Sequence, residues 1–199
     1  MATDFVYLAS LSPRRHELLH QIGVPFRPVN VTVDEAAMQG EQAPDYVVRL
    51  AIAKARAGWR AASGAHGLVA PVLGADTAVV LDGRILGKPT DRDDAVRMLG
   101  ELSGRTHAVL TAVALCDAAG PVWRISRSEV RFRAIGPTEC GAYADSGEPF
   151  DKAGGYAIQG FGAVFVEQLN GSYSGVMGLP IFETAALLSA AGVPRWCVR

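Results

Sequence analysis

The sequence predicts an α/β fold built on a long, mixed and twisted sheet that is flanked by helices. Segments with helical periodicity alternate with β-rich runs along the 199 residues, and tight turns join several successive strands. Helical connections suit parallel strands whereas tight hairpins join antiparallel ones, so we expect a sheet that contains both. The length fits a single domain over residues 1–199, with enough chain to bury a core.

The first two elements form a candidate anion site. Residues 5–9 are predicted to form a strand, and the following helix has Ser12 at its N-cap, Pro13 at its first position and its end near Gly23. Free N–H groups of the first helical turn point outward, and the helix dipole adds to the positive charge of Arg14 and Arg15. This arrangement favours the binding of a phosphate.

The central elements carry isolated charges on an apolar background. A loop that contains Glu35 precedes a helix predicted over residues 43–62, from which Lys54 projects. Val72–Leu81 and Arg84–Leu86 are apolar runs on either side of Asp82-Gly83, a dipeptide that is typical of two-residue hairpin turns. These patterns predict a helix that packs on a hairpin.

The remaining elements continue the alternation of helices and strands. A third helix is predicted over residues 91–102, with Thr90 as its N-cap and Gly104 as its stop. Strands at 106–116 and 122–132 follow, around a turn at Ala119-Gly120-Pro121. The pattern then predicts a short helix at 138–144, a strand at 163–169 and a last helix at 180–191 that Gly192 ends.

The composition argues against several classes of protein. Hydrophobic residues make up 49% and charged residues 20%, as in globular proteins, and a formal net charge of -1 argues against a general nucleic-acid binder. The 3 cysteines lie far apart without a CxxC pair, which indicates reduced thiols rather than a zinc site or a disulfide framework. The N-terminal apolar run is too short for a signal peptide or a membrane span, so we expect a soluble cytoplasmic protein without membrane contact.

Three segments look like known site motifs but fit them poorly. His16-Glu17-Leu18-Leu19-His20 matches the HExxH pattern of zinc peptidases, but this short helix has leucines to bury, and a solvated polar face is the simpler interpretation. Segment 83–90 lacks Walker A spacing because Pro89 follows Lys88, although Lys88 can still act as a point charge on phosphate. Gly160 and Gly162 are not followed by a helix pattern, unlike the glycines of dinucleotide-binding motifs.

Asp76 is an informative residue, because a carboxylate inside an apolar strand is costly to bury without a partner. A metal ion is one possible partner. Asp76 and Glu35 could hold Mg²⁺ or Mn²⁺, which prefer oxygen ligands and share their coordination with substrate phosphates. A hydrogen-bonded structural aspartate is the alternative. The metal-phosphate interpretation is favoured by the basic residues Arg14, Arg15, Lys54 and Lys88, although each of them alone is typical of a surface salt bridge.

Taken together, these segments resemble the Maf family of nucleoside triphosphate pyrophosphatases, also called septum formation inhibitor proteins. The resemblance spans nearly the whole chain, and many ordered blocks are more specific than any one of them. The blocks are Ser10 to Arg15, Gly74-Ala75-Asp76-Thr77, Gly87-Lys88-Pro89, Ser103-Gly104 with Thr106-His107, Glu148 to Gly160, and Gly171 to Pro180.

The resemblance implies a fold akin to that of inosine triphosphate pyrophosphatases, often as a homodimer, with a deep central cleft for one nucleoside triphosphate and a divalent metal. Hydrolysis would fall between the α and β phosphates. Asp76 matches the family's proposed proton acceptor, and with Glu35 it would hold the metal. The positions that match residues contacting metal or phosphate are Glu35, Lys54, Lys88, Ser10 and Arg15, and those tied to substrate choice are Arg14, Thr77 and Gln159.

Gln159 favours a pyrimidine substrate. Uracil and thymine present an N–H between two carbonyls, and a carboxamide offers both an acceptor and a donor to that edge. The sister branch of the family that prefers 7-methyl-GTP resembles a glutamate-glycine pair here, so Gln159-Gly160 indicates the branch that acts on dTTP and UTP, ordinary or modified.

Two departures and one alternative accompany this prediction. Leu11 stands where a small residue is frequent in the family, and Ser174-Gly175 replaces a pair that is often polar. The family's older name also suggests a nucleotide-binding regulator of cell division with little turnover. A binding module would need the cleft but no positioned water, so the set of Asp76, Glu35 and Lys54 favours catalysis.

Overall fold

Seven strands form one mixed sheet in the part of the chain that the structure describes. The structure is a computed structural model and describes residues 3–66 and 70–197. The strands are β1 (Val6–Leu8), β2 (Phe26–Pro28), β3 (Val72–Leu81), β4 (Arg84–Leu86), β5 (Thr106–Asp117), β6 (Gly120–Phe132) and β7 (Val166–Asn170). They follow the order β2-β1-β3-β5-β6-β7, and β4 pairs with β3 outside this row. Because β1 is parallel to β2 and β3 whereas the other pairs are antiparallel, the predicted mixed sheet is confirmed.

Helices cover both faces of this sheet. They are α1 (Pro13–Gln21), α2 (Ala43–His66), α3 (Arg92–Leu102), α4 (Pro137–Asp145), α5 (Tyr173–Met177) and α6 (Ile181–Ala190). On one face, α2 packs its small side chains, such as Ala51 and Ala55, against even-numbered residues of β3 and β5. On the other face, α1 and α6 pack against odd-numbered residues such as Leu73 and Val113, and α3 and α4 lie further along. No helix in the described ranges is both long and apolar enough to cross a bilayer.

The N-cap of α3 is Asp91, and the prediction of Thr90 was wrong by one residue. The Asp91 carboxylate accepts a hydrogen bond from the backbone N–H of Asp94 at 2.8 Å. Thr90 lies one position earlier and donates its own N–H to the Asp94 carboxylate at 3.1 Å. Aspartate caps a helix at least as well as threonine, and its charge suits the helix N-terminus.

The strand predicted at 163–169 was wrong in its first half, and one turn was displaced. Residues Phe161–Phe165 form a 3₁₀ helix, and pairing with β6 begins only at Val166. The apolar pattern of this segment comes partly from Phe165, whose side chain is buried in the core. It does not come from a continuous strand. The turn before β6 occupies residues 118–119, and Gly120 and Pro121 belong to the strand.

A gap in the sheet beside β3 positions the site. β1 pairs with β3 only at Val72 and Leu73, and β4 begins to pair with it only at Val79. Between these contacts, β3 has β5 on one edge and no strand of the described chain on the other. The chain leaves the sheet on both sides of the gap, into α1 after β1 and toward α3 after β4.

Candidate active site

A cavity of about 590 Å³ lies at the gap in the sheet. All the site residues that the sequence singled out line it, although they come from distant segments of the chain. They are Ser10, Arg14, Arg15, Glu35, Lys54, Asp76, Thr77, Lys88 and Gln159. The fold therefore brings the predicted set to one place.

Three charged side chains form a compact group on the α2 side of the cavity. The Lys54 ammonium lies 2.7 Å from Asp76 Oδ1 and 2.6 Å from Glu35 Oε1. Asp76 is only 7% exposed, whereas the Glu35 side chain is 46% exposed. One cation thus joins a buried carboxylate to a carboxylate that faces solvent.

Gly74 explains why Lys54 can reach Asp76. A Cβ atom at Gly74 would lie 2.5 Å from the carbonyl oxygen of Ala51 and 2.5 Å from the nitrogen of Ala55, both in the backbone of α2. The absence of a side chain lets the helix lie directly on β3. Side chains alternate along a strand, so Asp76 points to the same face as Gly74, under the helix that carries Lys54.

The two carboxyl groups have pKa values shifted in opposite directions. Burial raises the pKa of Asp76, although the charge and hydrogen bond of Lys54 oppose this effect. Burial alone would raise the pKa of Glu35 too, but there it is outweighed by the hydrogen bond and charge of Lys54 and by the charge of Lys88, so the pKa is lowered. A pair with pKa values moved apart in this way is typical of sites where one group accepts a proton and the other stays ionised.

The loop that carries Glu35 is braced against α2 by residues that the sequence analysis missed. The Tyr46 hydroxyl donates to the Glu35 carbonyl at 3.0 Å, and Arg49 donates to the Ala36 carbonyl at 3.0 Å. Arg49 also forms a two-pronged ion pair with Glu41 at 2.6 and 2.7 Å. Tyr46 and Arg49 are three residues apart on a helix and share a face, but the sequence alone does not show what that face contacts.

Arg15 organises the opposite wall of the cavity. Its guanidinium donates to the Gly178 carbonyl at 2.8 Å, to Ser10 Oγ at 3.3 Å and to Thr77 Oγ1 at 3.4 Å. Burial lowers its pKa, but a guanidinium keeps its proton in proteins, so Arg15 is positively charged at neutral pH. The Ser12 hydroxyl makes no side-chain cap hydrogen bond, although Ser12 occupies the predicted N-cap position. The wall therefore presents a fixed cation beside the helix N-terminus.

Further hydrogen bonds hold this wall of the cavity in place. The hydroxyls of Thr77 and Thr111 are 3.0 Å apart, and Thr111 donates to the Gly175 carbonyl at 2.7 Å. Ser174 Oγ accepts the Ile181 N–H at 3.0 Å and thereby holds the chain around Gly178. Thr111 and the Gly178 carbonyl were not among the predicted site residues. Both belong to hydrogen bonds with backbone carbonyls, and a sequence pattern does not show which carbonyls accept such bonds.

The cavity rim carries further positive charges. Arg14 lies 3.3 Å from the Asp151 carboxylate, and Lys152 pairs with Asp151 as well and donates to the Glu148 carbonyl at 2.7 Å. Lys88 follows the end of β4 and lines the cavity from an exposed position. The rim therefore adds positive charges to those of Arg15 and Lys54.

The histidines of the HExxH segment do not line the cavity; they pack against β2. His16 Nε2 is 2.9 Å from the Ser10 carbonyl, and the rings of His16 and His20 both pack on Phe26, at centroid distances of 5.1 and 4.9 Å. His16 thus contacts the backbone of Ser10 before α1, and β2 covers the helix face that both imidazoles share.

Glu35 and Asp76 suit a hard divalent cation. The Lys54 ammonium contacts one oxygen of each carboxylate, at 2.6 and 2.7 Å, so the two carboxyl groups lie close to one another and supply two oxygen donors at one side of the cavity. In the described ranges, no group of three or more His, Cys, Asp or Glu side chains is placed to hold a metal. Mg²⁺ commonly binds through one or two carboxylates and takes its other ligands from water and substrate phosphates, so the donor set fits Mg²⁺ or Mn²⁺.

The fold and the cavity define a class: an α/β protein with a cleft that gathers cations around a buried carboxylate and suits a polyphosphate. The chain matches the Maf-like protein family over residues 5–191, and it belongs to that family. The family predicted from the sequence motifs is therefore confirmed.

Two relatives that are more than half identical support this assignment. The chain is 54% identical over 198 residues to a protein from Burkholderia pseudomallei named dTTP/UTP pyrophosphatase, a match that covers 95% of this chain and 94% of the relative. It is 52% identical over 198 residues to a dTTP/UTP pyrophosphatase of Aromatoleum aromaticum, covering 95% and 96%. A crystal structure of a nucleoside-triphosphatase / dITP/XTP pyrophosphatase from Mycobacterium abscessus aligns with a TM-score of 0.39 and 20% identity, over 64% of this chain and 73% of that one.

Proposed function

We propose that this protein is a nucleoside triphosphate pyrophosphatase that hydrolyses dTTP and UTP, or modified pyrimidine nucleotides, to the monophosphate and pyrophosphate. The observation that carries the proposal is the buried Asp76 carboxylate, joined through Lys54 to Glu35 in a cavity lined by further cations. The names of relatives that are more than half identical supply the reaction and the substrates.

Asp76 acts as the proton acceptor in this proposal. It orients a water molecule in line with the α-phosphorus and takes its proton as the water oxygen forms the new P–O bond, while the bond from the α-phosphorus to the bridging oxygen breaks and pyrophosphate leaves. A carboxyl group whose pKa is raised by burial is a stronger base than an exposed one. Glu35, with its lowered pKa, stays ionised throughout.

The cations of the cleft stabilise the charge that develops on the leaving pyrophosphate. Arg15 is held by a hydrogen bond from its Nε to the Gly178 carbonyl and so is preorganised, which makes its charge more effective in the transition state. Lys54 positions the two carboxylates, Lys88 and Arg14 approach from the rim, and Ser10 adds a hydroxyl to the phosphate site. A divalent cation held by Glu35 and Asp76 supplies, when bound, additional neutralisation of the phosphate oxygens.

Gln159, Thr77 and Arg14 are the proposed determinants of substrate choice. Gln159 lines the cavity with an exposed carboxamide, which matches the donor and acceptor pattern of uracil and thymine. A site built to hydrogen-bond one edge rejects bases that cannot complete those bonds. Acceptance of both dTTP and UTP would mean that the sugar 2′ position is not read strongly.

The cellular setting is part of the proposal. All three cysteines are free thiols, which fits a reducing cytoplasm. Homodimer formation and the use of Mg²⁺ or Mn²⁺ are proposed from the family resemblance, with the oxygen donors of Glu35 and Asp76 supporting the choice of metal. The partner in each catalytic cycle is a nucleotide, and we propose no role for nucleic acid or membrane.

The proposal is tested by incubating the purified protein with Mg²⁺ or Mn²⁺ and a panel of ordinary and modified nucleoside triphosphates, with products resolved by chromatography. Pyrophosphate and monophosphate from dTTP and UTP, absent with Asp76→Asn, are the expected result. Preferred turnover of purine nucleotides would contradict the role of Gln159 but keep the chemistry. A lack of turnover with every nucleotide would overturn the enzyme proposal and favour the binding regulator.

A further inference from the structure

The segment that presents Gln159 has no regular strand or long helix to hold it. Residues 157–160 lie between two short 3₁₀ turns, and within the segment the Gly160 N–H donates to the Ala157 carbonyl at 3.2 Å. An irregular segment of this kind moves easily unless other groups fix its backbone. A residue that reads a base needs to be held more firmly than this.

The Glu148 carboxylate supplies that support on the C-terminal side of Gln159. Its Oε2 accepts the N–H of Phe161 at 2.9 Å, and its Oε1 accepts the N–H of Gly162 at 3.0 Å. The Tyr143 hydroxyl donates to Oε1 at 2.6 Å. One side chain therefore ties two consecutive backbone N–H groups of the loop to helix α4.

Tyr143 completes the support on the N-terminal side. Its hydroxyl oxygen accepts the N–H of Ala157 at 3.2 Å while its proton goes to Glu148. The backbone is thus fixed two residues before Gln159 and again two and three residues after it. Hydrogen bonds to an ionised acceptor are stronger than neutral ones, so this arrangement is stiff.

The packing around Gly160 shows how closely the carboxylate approaches the loop. A Cβ atom at Gly160 would lie 2.7 Å from Glu148 Cδ, so the carboxylate occupies the space that any other residue would fill. The cavity lining includes Gln159 but neither Glu148 nor Tyr143. These two side chains can therefore act on the substrate only through the loop.

We propose that Glu148 and Tyr143 are positioning residues that fix Gln159 and so set the preference of the site for uracil over cytosine. This inference rests on the proposed function, because it assigns base recognition to Gln159. The hydrogen bonds from Tyr143 and from the two backbone N–H groups outweigh burial and lower the pKa of Glu148, which keeps it ionised at neutral pH.

The test measures binding and not turnover, in an Asp76→Asn background that removes hydrolysis. Calorimetry gives dissociation constants for UTP, CTP and inorganic tripolyphosphate, the last of which has no base. Glu148→Gln keeps the size of the side chain but replaces one acceptor by an NH₂ group that faces backbone donors. We expect the preference for UTP over CTP to fall about tenfold while tripolyphosphate affinity changes less than about twofold.

Three further variants make the result decisive. Glu139→Gln removes a carboxylate of helix α4, the helix that carries Tyr143; Glu139 pairs with Arg133 at the surface, and its replacement should leave both affinities unchanged. Tyr143→Phe removes one hydroxyl, keeps the ring in the core, and should lower the same preference if Glu148→Gln fails to fold. Gln159→Ala defines the loss that complete removal of the reading group produces.

Each pattern of results has a distinct meaning. A UTP preference that falls with Gln159→Ala but not with Glu148→Gln or Tyr143→Phe overturns the positioning role. An equal loss of tripolyphosphate affinity also overturns it, since the two residues would then merely support the whole cleft. If Gln159→Ala itself leaves the preference unchanged, base reading by Gln159 fails and the inference fails with it. Absence of turnover in the wild-type enzyme would instead refute the proposed function, independently of these affinities.

Discussion

Asp76→Asn is expected to remove most of the turnover without destabilising the fold. The substitution keeps the size of the side chain and removes only its charge and basicity. A proton acceptor typically contributes about 10²- to 10⁴-fold to a rate, so kcat/KM for dTTP should fall by about that factor. The effect on stability decides whether Asp76 is a functional or a structural carboxylate.

The contacts of Asp76 determine the size of the stability effect. Breaking a buried ion pair by removing one partner costs about 3–5 kcal/mol when the other charge is left alone. Here Lys54 keeps Glu35 at 2.6 Å, and the amide oxygen of asparagine can still accept from the ammonium. Burial also raises the pKa of Asp76 above its unfolded value, so the native state binds the proton more tightly and ionisation destabilises the fold as pH rises to neutrality. We therefore expect Asp76→Asn to be as stable as the wild type at pH 7, or more stable.

Urea denaturation at pH 7 and steady-state release of pyrophosphate measure the two quantities on the same protein. Asp82→Asn is the matched control, because Asp82 directly follows the same strand, forms an exposed ion pair with Arg105 and has a left-handed backbone with φ of 51° that asparagine tolerates. It should change neither quantity by much, since exposed pairs contribute about 1 kcal/mol or less. A loss of about 3 kcal/mol in Asp76→Asn, or about 6 °C in Tm, with turnover retained would refute the catalytic assignment and restore the structural one.

Three other predictions follow from the packing. Burial lowers the pKa of His107 from 6.5 to about 4, so below pH 6.5 the unfolded chain binds a proton that the native state does not. In urea titrations between these values, the loss of stability should be smaller by about 3 kcal/mol in His107→Gln than in the wild type. Gly74→Ala places a Cβ 2.5 Å from the backbone of α2, and should lower the unfolding free energy by about 3 kcal/mol together with kcat. Arg49→Met removes the brace of the Glu35 loop and the ion pair with Glu41, and should lower kcat/KM about tenfold in initial-rate assays together with a fall in Tm.

Each of these predictions has a result that contradicts it. Parallel pH dependence of stability in wild type and His107→Gln would mean that the imidazole titrates normally. A fully active, fully stable Gly74→Ala would show that α2 can retreat from β3 without cost. For Arg49→Met, an unchanged kcat/KM would show that Tyr46 alone holds the loop, and Arg60→Met, at an exposed position on the same helix, serves as the control.

The sequence predicted those elements of the fold whose limits are set by local chemistry. β3 and β4 have the predicted bounds, since Asp82 and Gly83 both adopt positive φ, as a tight hairpin turn requires. β2 was not predicted, because three residues ending in Pro28 carry no periodic pattern and are a strand only through pairing with β1. The five-residue helix α5 was missed for the same reason. It is too short to show a helical periodicity in the sequence, and tertiary contacts stabilise it.

The sequence predicted which residues form the candidate site, but not how they are arranged. Charged residues in apolar surroundings, such as Asp76 and Lys54, stand out in a sequence because their burial is costly without a partner. That Lys54 contacts both carboxylates is a consequence of helix packing at Gly74, which no local pattern reveals. The supporting residues Tyr46 and Arg49 were missed because they act on backbone carbonyls of a loop.

The gap in the sheet explains how adjacent residues of one strand can serve one cavity. Successive side chains of a strand point to opposite faces, so Asp76 and Thr77 would normally face different layers of the protein. Beside them no strand of the described chain closes the edge of β3, and the cavity reaches around this edge to both faces. An open edge is usually a liability for a sheet. Here it lets Asp76 meet Lys54 from α2 on one face while Thr77 meets Arg15 from α1 on the other. In the proposed mechanism, proton transfer and phosphate binding are thus built on opposite faces of the same strand and act on one substrate that lies across its edge.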